Sequence, residues 1–269
     1  MFIWKSFPNT LKFMKNTDKI RHEVTEEKTY DLFIALDCGD MGRLGFSAVL
    51  FKKAAVRFCV DHHVSHKSFA DQNYIRPDAS STSELIYDLL DYGKMSVETA
   101  ECLYTGMVHD TGVFRYSSTT QKTMEIAGSL MEKGIPFWKY IDECFYQRTY
   151  TQTQLLGRTL LTSMRLMDGK VIVATVTRRM LEFYGAQTED IEGIIDQLRV
   201  TKGVEVALLL HEIGDQEYKV SMRSNTTIDV SRIAVYFGGG GHVKAAGCTM
   251  RGSLHDVVNN ITEHIEFQM

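Results

Sequence analysis

Four short clusters carry the residue types that chemistry needs. In VDHHVSH, Asp61, His62 and His63 follow directly on the apolar run VRFCVD, which reads as a strand. A lone histidine at a strand end is usually accounted for by one ordinary hydrogen bond. An aspartate and two adjacent histidines, desolvated together at a sheet edge, need a further partner. Imidazole ligates transition ions and carboxylates suit Mg2+ and Mn2+, so the mixed set points to a transition-metal hydrolase for which Mn2+ is suitable. LDCGD places Asp37 and Asp40 at the end of the preceding apolar run, and VHDTGVFRY places Asp110 just past an amphipathic helical pattern. Asp110 alone reads equally well as a turn residue before Gly112. The fourth cluster is FGGGGHVKAAG. Gly238, Gly239, Gly240 and Gly241 allow close backbone approach and can aim N–H groups at phosphate oxygens, with His242, Lys244 and the upstream Arg223 as polar company. No Gly-Lys-Ser/Thr follows and G-x-G-x-x-G is not matched, so it is neither a P-loop nor a dinucleotide fingerprint; a plain flexible turn is the alternative.

Those clusters must be held by larger elements. DLFIALD at 31–37 and VRFCVD at 56–61 read as buried parallel strands whose carboxyl ends share one sheet edge, where open α/β sheets bind ligands. Helical spacing recurs at 83–90, 97–108, 120–133 and 137–145, and a stretch from 151 to 164 would make a connecting helix. Beyond it VIVATV, VEVALLL and YKVSM read as strands, with the helical pattern IEGIIDQL among them. The predicted class is α/β with two domains: a parallel-sheet domain over 1–150, a connecting helix over 151–165 and a smaller mixed-sheet domain over 166–269.

Composition narrows the possibilities. With 44% hydrophobic and 24% charged residues and 3 prolines, the chain is globular, not disordered. A net charge of −4 excludes a broad basic surface for long nucleic acid but leaves room for a short nucleotide in a local pocket. The 5 cysteines (Cys38, Cys59, Cys102, Cys144 and Cys248) contain no C-x-x-C pair, so neither a disulfide framework nor a zinc knuckle is indicated. No apolar run is long enough for a membrane span and the start lacks a signal-peptide core, so a cytoplasmic protein without membrane partners is expected.

LDCGD, VDHH and VHDTGVFRY, in this order and spacing, resemble the second, third and fourth motifs of the DHH phosphoesterases. SMRSN followed by DVSRIAVYFGGGGHVKAAGCTM resembles the DHHA1 domain that accompanies them, so the likeness runs from Asp31 to the end. Within the family the motifs are most like those of oligoribonucleases that also dephosphorylate 3'-phosphoadenosine 5'-phosphate. The resemblance implies hydrolysis of phosphate esters by hydroxide held between two Mn2+ ions, with short RNA or DNA oligonucleotides, 3'-phosphoadenosine 5'-phosphate or dinucleotides as partners and a homodimer as an assembly. It makes Asp37, Asp61, His62, His63 and Asp110 catalytic: Asp37 the metal bridge, His62 and Asp110 further ligands, His63 the contact to the scissile phosphate and Asp61 the group that orients the histidines. It assigns Arg223, Ser224, Gly238, Gly239, Gly240, Gly241 and His242 to substrate. The family's first motif, His-x-x-x-Asp-x-Asp, is absent from this sequence, which implies one incomplete metal site through a late start, a fragment or a natural variant. Two other readings stay open: a cyclic or linear dinucleotide phosphodiesterase, and a nucleotide-binding protein with impaired catalysis.

Overall fold

The computed structural model describes residues 11–24 and 28–269. The chain divides into two compact units, Met1–Gln147 and Arg148–Met269. Among the described residues no helix is long and apolar enough to cross a membrane.

In the first unit, strands β1 (Leu32–Leu36), β2 (Val56–Asp61) and β3 (Gln72–Ile75) form a parallel sheet in that order. Helix α1 (Ala48–Lys53) lies between β1 and β2; the helices α2 (Thr82–Leu89), α3 (Val97–Asp110), α4 (Gln121–Glu132) and α5 (Phe137–Ile141) follow β3. Leu36 pairs with Val60, so Asp37 and Asp61 leave the sheet side by side at its carboxyl edge. The strand over 31–37 is therefore present but is not buried on both faces as its composition suggests. Phe33 and Ala35 pack with Leu44, Phe51 and Cys59, whereas Leu32, Ile34 and Leu36 are 50%, 50% and 43% exposed. Apolar composition reports what a strand tolerates; position at the sheet edge decides which faces are covered.

Helix α2 begins at a dense polar cap. Ser81 accepts from Glu84 N–H, and the buried Glu84 carboxylate accepts from the hydroxyls of Ser80 and Thr123 at 2.7 and 3.0 Å. Ala100, Leu103, Tyr104, Met107 and Val108 of α3 pack against Ile126, Ala127 and Leu130 of α4, the helical spacing seen in the sequence.

The second unit has a mixed sheet of six strands: β4 (Met164–Leu166), β5 (Val171–Val176), β6 (Val206–Gly214), β7 (Glu217–Ser224), β8 (Gly240–His242) and β9 (Ala245–Arg251), ordered β4-β5-β6-β7-β9-β8. Only β5 and β6 run parallel; the other neighbours are antiparallel. One face buries Val206, Leu208, Val220, Met222 and Ala246 beneath α9 (Val230–Tyr236) and α10 (Leu254–Glu266). The other buries Ile172, Ala174, Ala207 and Leu209 with Leu155 of α6 (Tyr150–Leu161) and Ile194, Ile195 and Leu198 of α8 (Ile194–Arg199); α7 (Arg178–Tyr184) adds partly buried side chains to the same cluster. Both faces of β6 are thus covered, which is why VALLLH reads as a continuous apolar run. The helix expected over 151–164 ends at Leu161, and Met164 already pairs with Val173 as strand.

Candidate active site

At the edge of the first sheet, hydrogen bonds orient each histidine ring. His62 Nδ1 lies 3.3 Å from the Ala79 carbonyl oxygen, which can only accept, so Nδ1 donates there and Nε2 is the ring nitrogen turned to the site. That Nε2 stands 3.7 Å from Asp37 Oδ1 and 3.8 Å from Asp110 Oδ2. His63 Nδ1 donates to Asp61 Oδ1 at 2.6 Å, which turns its Nε2 away from that carboxylate. Asp61 is fully buried, and Oδ1 also accepts the backbone N–H groups of His62 and His63 at 2.7 and 3.1 Å. Burial alone would raise its carboxyl; the side-chain and backbone hydrogen bonds from His63, with that from His62 N–H, outweigh it and leave the group below the usual range.

Asp37 sits at φ 59, a left-handed conformation that aspartate tolerates better than most residues. Its Oδ1 accepts from Thr82 Oγ1 at 2.8 Å, so the start of α2 holds the carboxylate in place. Asp110 is the last residue of α3, one position later than its sequence pattern suggested. A carboxylate there opposes the helix dipole. Burial, and after it the charge of Asp37, pushes its carboxyl up to about 6. The chain turns sharply after it: Gly112, Val113 and Phe114 all have φ between 54 and 60, and Val113 N–H returns to the Val108 carbonyl. A β-branched residue in that region is strained, and strain of this kind persists where surrounding structure demands it. A cavity of about 730 Å³, with Leu36, Ile86 and Leu103 among its walls, borders both Asp37 and Asp110.

Two carboxylates and an imidazole nitrogen converge here as a set of metal-type donors. Asp37, His62 and His63 bring donor atoms within 4.8 Å of one another. His62 Nδ1 and His63 Nδ1 are each engaged, by Ala79 and Asp61, so each ring offers Nε2, and Asp110 Oδ2 stands 3.8 Å from His62 Nε2 beside this set. A transition cation fits this chemistry: imidazole nitrogen and carboxylate oxygen are its usual donors, and its charge would offset both the burial and the Asp37 repulsion that raise Asp110.

In the second unit the sheet register builds a different feature. Arg223 pairs with Ala245 and Ala245 with His242, so the three share one row and one face. The next row is Ser221, Gly247 and Gly240. At roughly 4.8 Å per strand, Arg223 and His242 stand about 10 Å apart across a floor with almost no side chains. Asp196 and Arg199 of α8 border it, with Asp196 3.9 Å from Arg223 and Arg199 bonded to Asn225 at 3.0 Å.

The glycines divide by role. Gly238 and Gly239 donate to the carbonyls of Val235 and Ala234, closing α9, so those N–H groups are taken. A Cβ on Gly239 would lie 2.1 Å from Gly247 O, and one on Gly241, at φ +146, would meet Ala245 O at 2.5 Å; a Cβ on Gly240 meets nothing within 4 Å. The run is therefore a helix end and an edge strand pressed against β9, not a free phosphate loop. Ser224, grouped with Arg223 from the sequence, occupies the opposite face of β7, buried, with its hydroxyl 3.3 Å from Glu205. Lys244 bonds the Thr226 carbonyl. Glu205 accepts from the N–H groups of Thr226, Thr227 and Ile228 and from the Thr226 hydroxyl; burial opposes these bonds, but they hold its carboxyl down to about 2. Sequence reading missed Thr82, Glu205, Asp196, Arg199 and Asn225. The ASSTSE cap offered a signal for the first; the others depend on tertiary contacts.

The model of the DHH family, N-terminal domain, matches residues 3–107, and that of the DHHA1 domain matches residues 168–267. A bifunctional oligoribonuclease and PAP phosphatase, NrnA, of Thermus thermophilus is 28% identical over 247 residues, 91% of this chain and 73% of that protein. Its namesake in Bacillus subtilis is 26% identical over 248 residues, 90% of this chain and 76% of its own length. The crystal structure of an exopolyphosphatase-related protein from Bacteroides fragilis superposes with a TM-score of 0.87 at 25% identity, covering 98% of this chain and 82% of that one.

Proposed function

Since the chain belongs to the DHH/DHHA1 phosphoesterases, we propose that it hydrolyses phosphate esters in oligonucleotides of a few residues and in 3'-phosphoadenosine 5'-phosphate, with Mn2+ as the metal. The observation that carries the reading is His62 Nε2 set between the carboxylates of Asp37 and Asp110 at 3.7 and 3.8 Å, with the Asp110 carboxyl raised by burial and by the charge of Asp37.

Asp37, His62 and Asp110 would hold the metal, which when bound would acidify water and offset charge on the phosphoryl group. The chain's own residues do the rest. Ala79 orients the His62 ring, and Thr82 fixes the Asp37 carboxylate. His63 leans on the Asp61 anion through Nδ1, an arrangement that lets the ring hold a proton at Nε2 for a phosphate oxygen. Arg223 and His242 in the second unit offer donors to a nucleotide phosphate, and the floor of Ser221, Gly240 and Gly247 leaves room for a sugar and base. Five free thiols suit a reducing cytoplasm.

The test is titration with Mn2+ followed by assays with a short RNA and with 3'-phosphoadenosine 5'-phosphate. Release of mononucleotide and of phosphate, dependent on the ion, is expected. Faster cleavage of a cyclic dinucleotide than of the RNA would move the assignment to cyclic dinucleotide hydrolysis, and nucleotide binding without turnover would leave a binding protein.

A further inference from the structure

VDHHVSH holds a third histidine to which no part of the proposed chemistry has been assigned. His66 lies in the ten-residue return between the parallel strands β2 and β3, and its side chain is 2% exposed. Its Nδ1 accepts the Ser68 N–H at 2.8 Å. A nitrogen that accepts there cannot also carry the proton, so the ring is the Nε2–H tautomer. That N–H faces two acceptors, Cys59 Sγ at 3.3 Å and Asp61 Oδ2 at 3.9 Å. Sulfur is the weaker of the two. Asp61 Oδ1 takes three donors, whereas the buried Oδ2 has no hydrogen bond within ordinary reach. A buried carboxylate oxygen is costly to leave without a donor, and His66 Nε2, bonded to Cys59 Sγ, stands 3.9 Å from it.

We propose that His66 is a positioning residue: its Nε2–H steadies the second oxygen of Asp61, so that the first oxygen holds His63 with Nε2 turned toward the substrate phosphate. The role of His63 in this statement rests on the function proposed above; the tautomer of His66 and its grip on Asp61 do not. The competing explanation is packing alone. The His66 ring stacks on Phe69 at 5.3 Å and 26°, and the His66 backbone N–H closes a turn onto the His63 carbonyl, so the residue also fills the return between strands.

Two substitutions separate the roles in the full chain. His66→Phe keeps a ring against Phe69 and removes the donor, while His66→Gln restores an N–H at the reach of Nε2. Nitrogen-15 spectra of the metal-free wild type should show His66 protonated at Nε2 and a strongly hydrogen-bonded His63 Nδ1–H. In His66→Phe that His63 signal should weaken, and kcat on a short RNA with Mn2+ should fall about tenfold with KM little changed, as for loss of outer hydrogen bonds around a metal centre. His66→Gln should recover both. Protonation of His66 at Nδ1 in the wild type would overturn the proposal whether or not the variants fold. So would a His66→Phe protein that keeps the His63 signal and a rate within twofold of wild type. Wild type that hydrolyses no phosphate ester would sink the proposed function, while the spectra would still decide what His66 does.

Discussion

In the first unit ionisable groups crowd at a strand end, where Asp37, Asp61, His62, His63 and Asp110 repel, bond and desolvate one another. In the second, the register of β7, β9 and β8 clears side chains from a face and leaves Arg223 and His242 at the margins of a floor of Ser221, Gly247 and Gly240. One region stores electrostatic tension that a cation relieves. The other provides shape, and its tolerance is limited by van der Waals contact. Substitutions in the first should be read in metal affinity and rate; those in the second, in substrate affinity and stability.

Asp37→Asn should break the first region most. Asparagine accepts the left-handed backbone at φ 59, so the change isolates the charge. Mn2+ binding by titration calorimetry should be lost, and kcat/KM should fall about 100-fold or more. Unchanged Mn2+ affinity would remove Asp37 from the metal set. Arg223→Ala should raise KM roughly 10- to 100-fold, the worth of a charge-assisted hydrogen bond, and leave Mn2+ affinity untouched. If metal affinity fell with it, the division of labour between the units would be wrong.

The glycines sharpen the contrast within the second region. Gly239→Ala places a Cβ 2.1 Å from a backbone oxygen and should cost about 1–3 kcal/mol or more in thermal or chemical unfolding. Gly240→Ala meets nothing in the fold and should melt like wild type while weakening nucleotide binding. Equal melting of the two variants would contradict the packing of β8 on β9.

The smallest expected effect concerns pH. Asp110 has its folded carboxyl raised to about 6, so the metal-free folded state holds a proton that the unfolded chain has already lost. Its contribution to stability is present below the ordinary aspartate range and is lost as pH rises through about 6. Metal-free wild type should therefore lose stability relative to Asp110→Asn between pH 4 and about 6 in paired melts, and Mn2+ should reverse the loss at neutral pH. A flat difference across that window would mean that Asp110 is not desolvated.

The strand ends of the first unit were legible because an apolar run closed by an acid is a local pattern, and DLFIALD and VRFCVD both display it. Exposure of Leu32, Ile34 and Leu36 was not, since a strand's own composition does not say whether it sits at an edge. The alternation of β7 was available: Val220, Met222 and Ser224 share the buried face, which separates Ser224 from Arg223 without any structure. The glycine run shows the reverse case. Its freedom was plain, but the use of that freedom depends on Gly240 meeting Gly247 and on Gly239 capping α9, both matters of register. Thr82 reaches Asp37 across 45 residues, a pairing that no motif spacing encodes.

The floor of Gly247 and Gly240 has a consequence for selectivity. In a sheet the main-chain N–H and C=O groups point mostly at neighbouring strands, so this floor sets few side-chain groups against a purine or pyrimidine, whereas Arg223 and His242 at its border suit a phosphate. On the proposed reading a phosphate counts for more at this floor than the base beside it, so the four bases are expected to bind with similar affinity. A clearing agent for mixed nucleotide fragments needs that indifference.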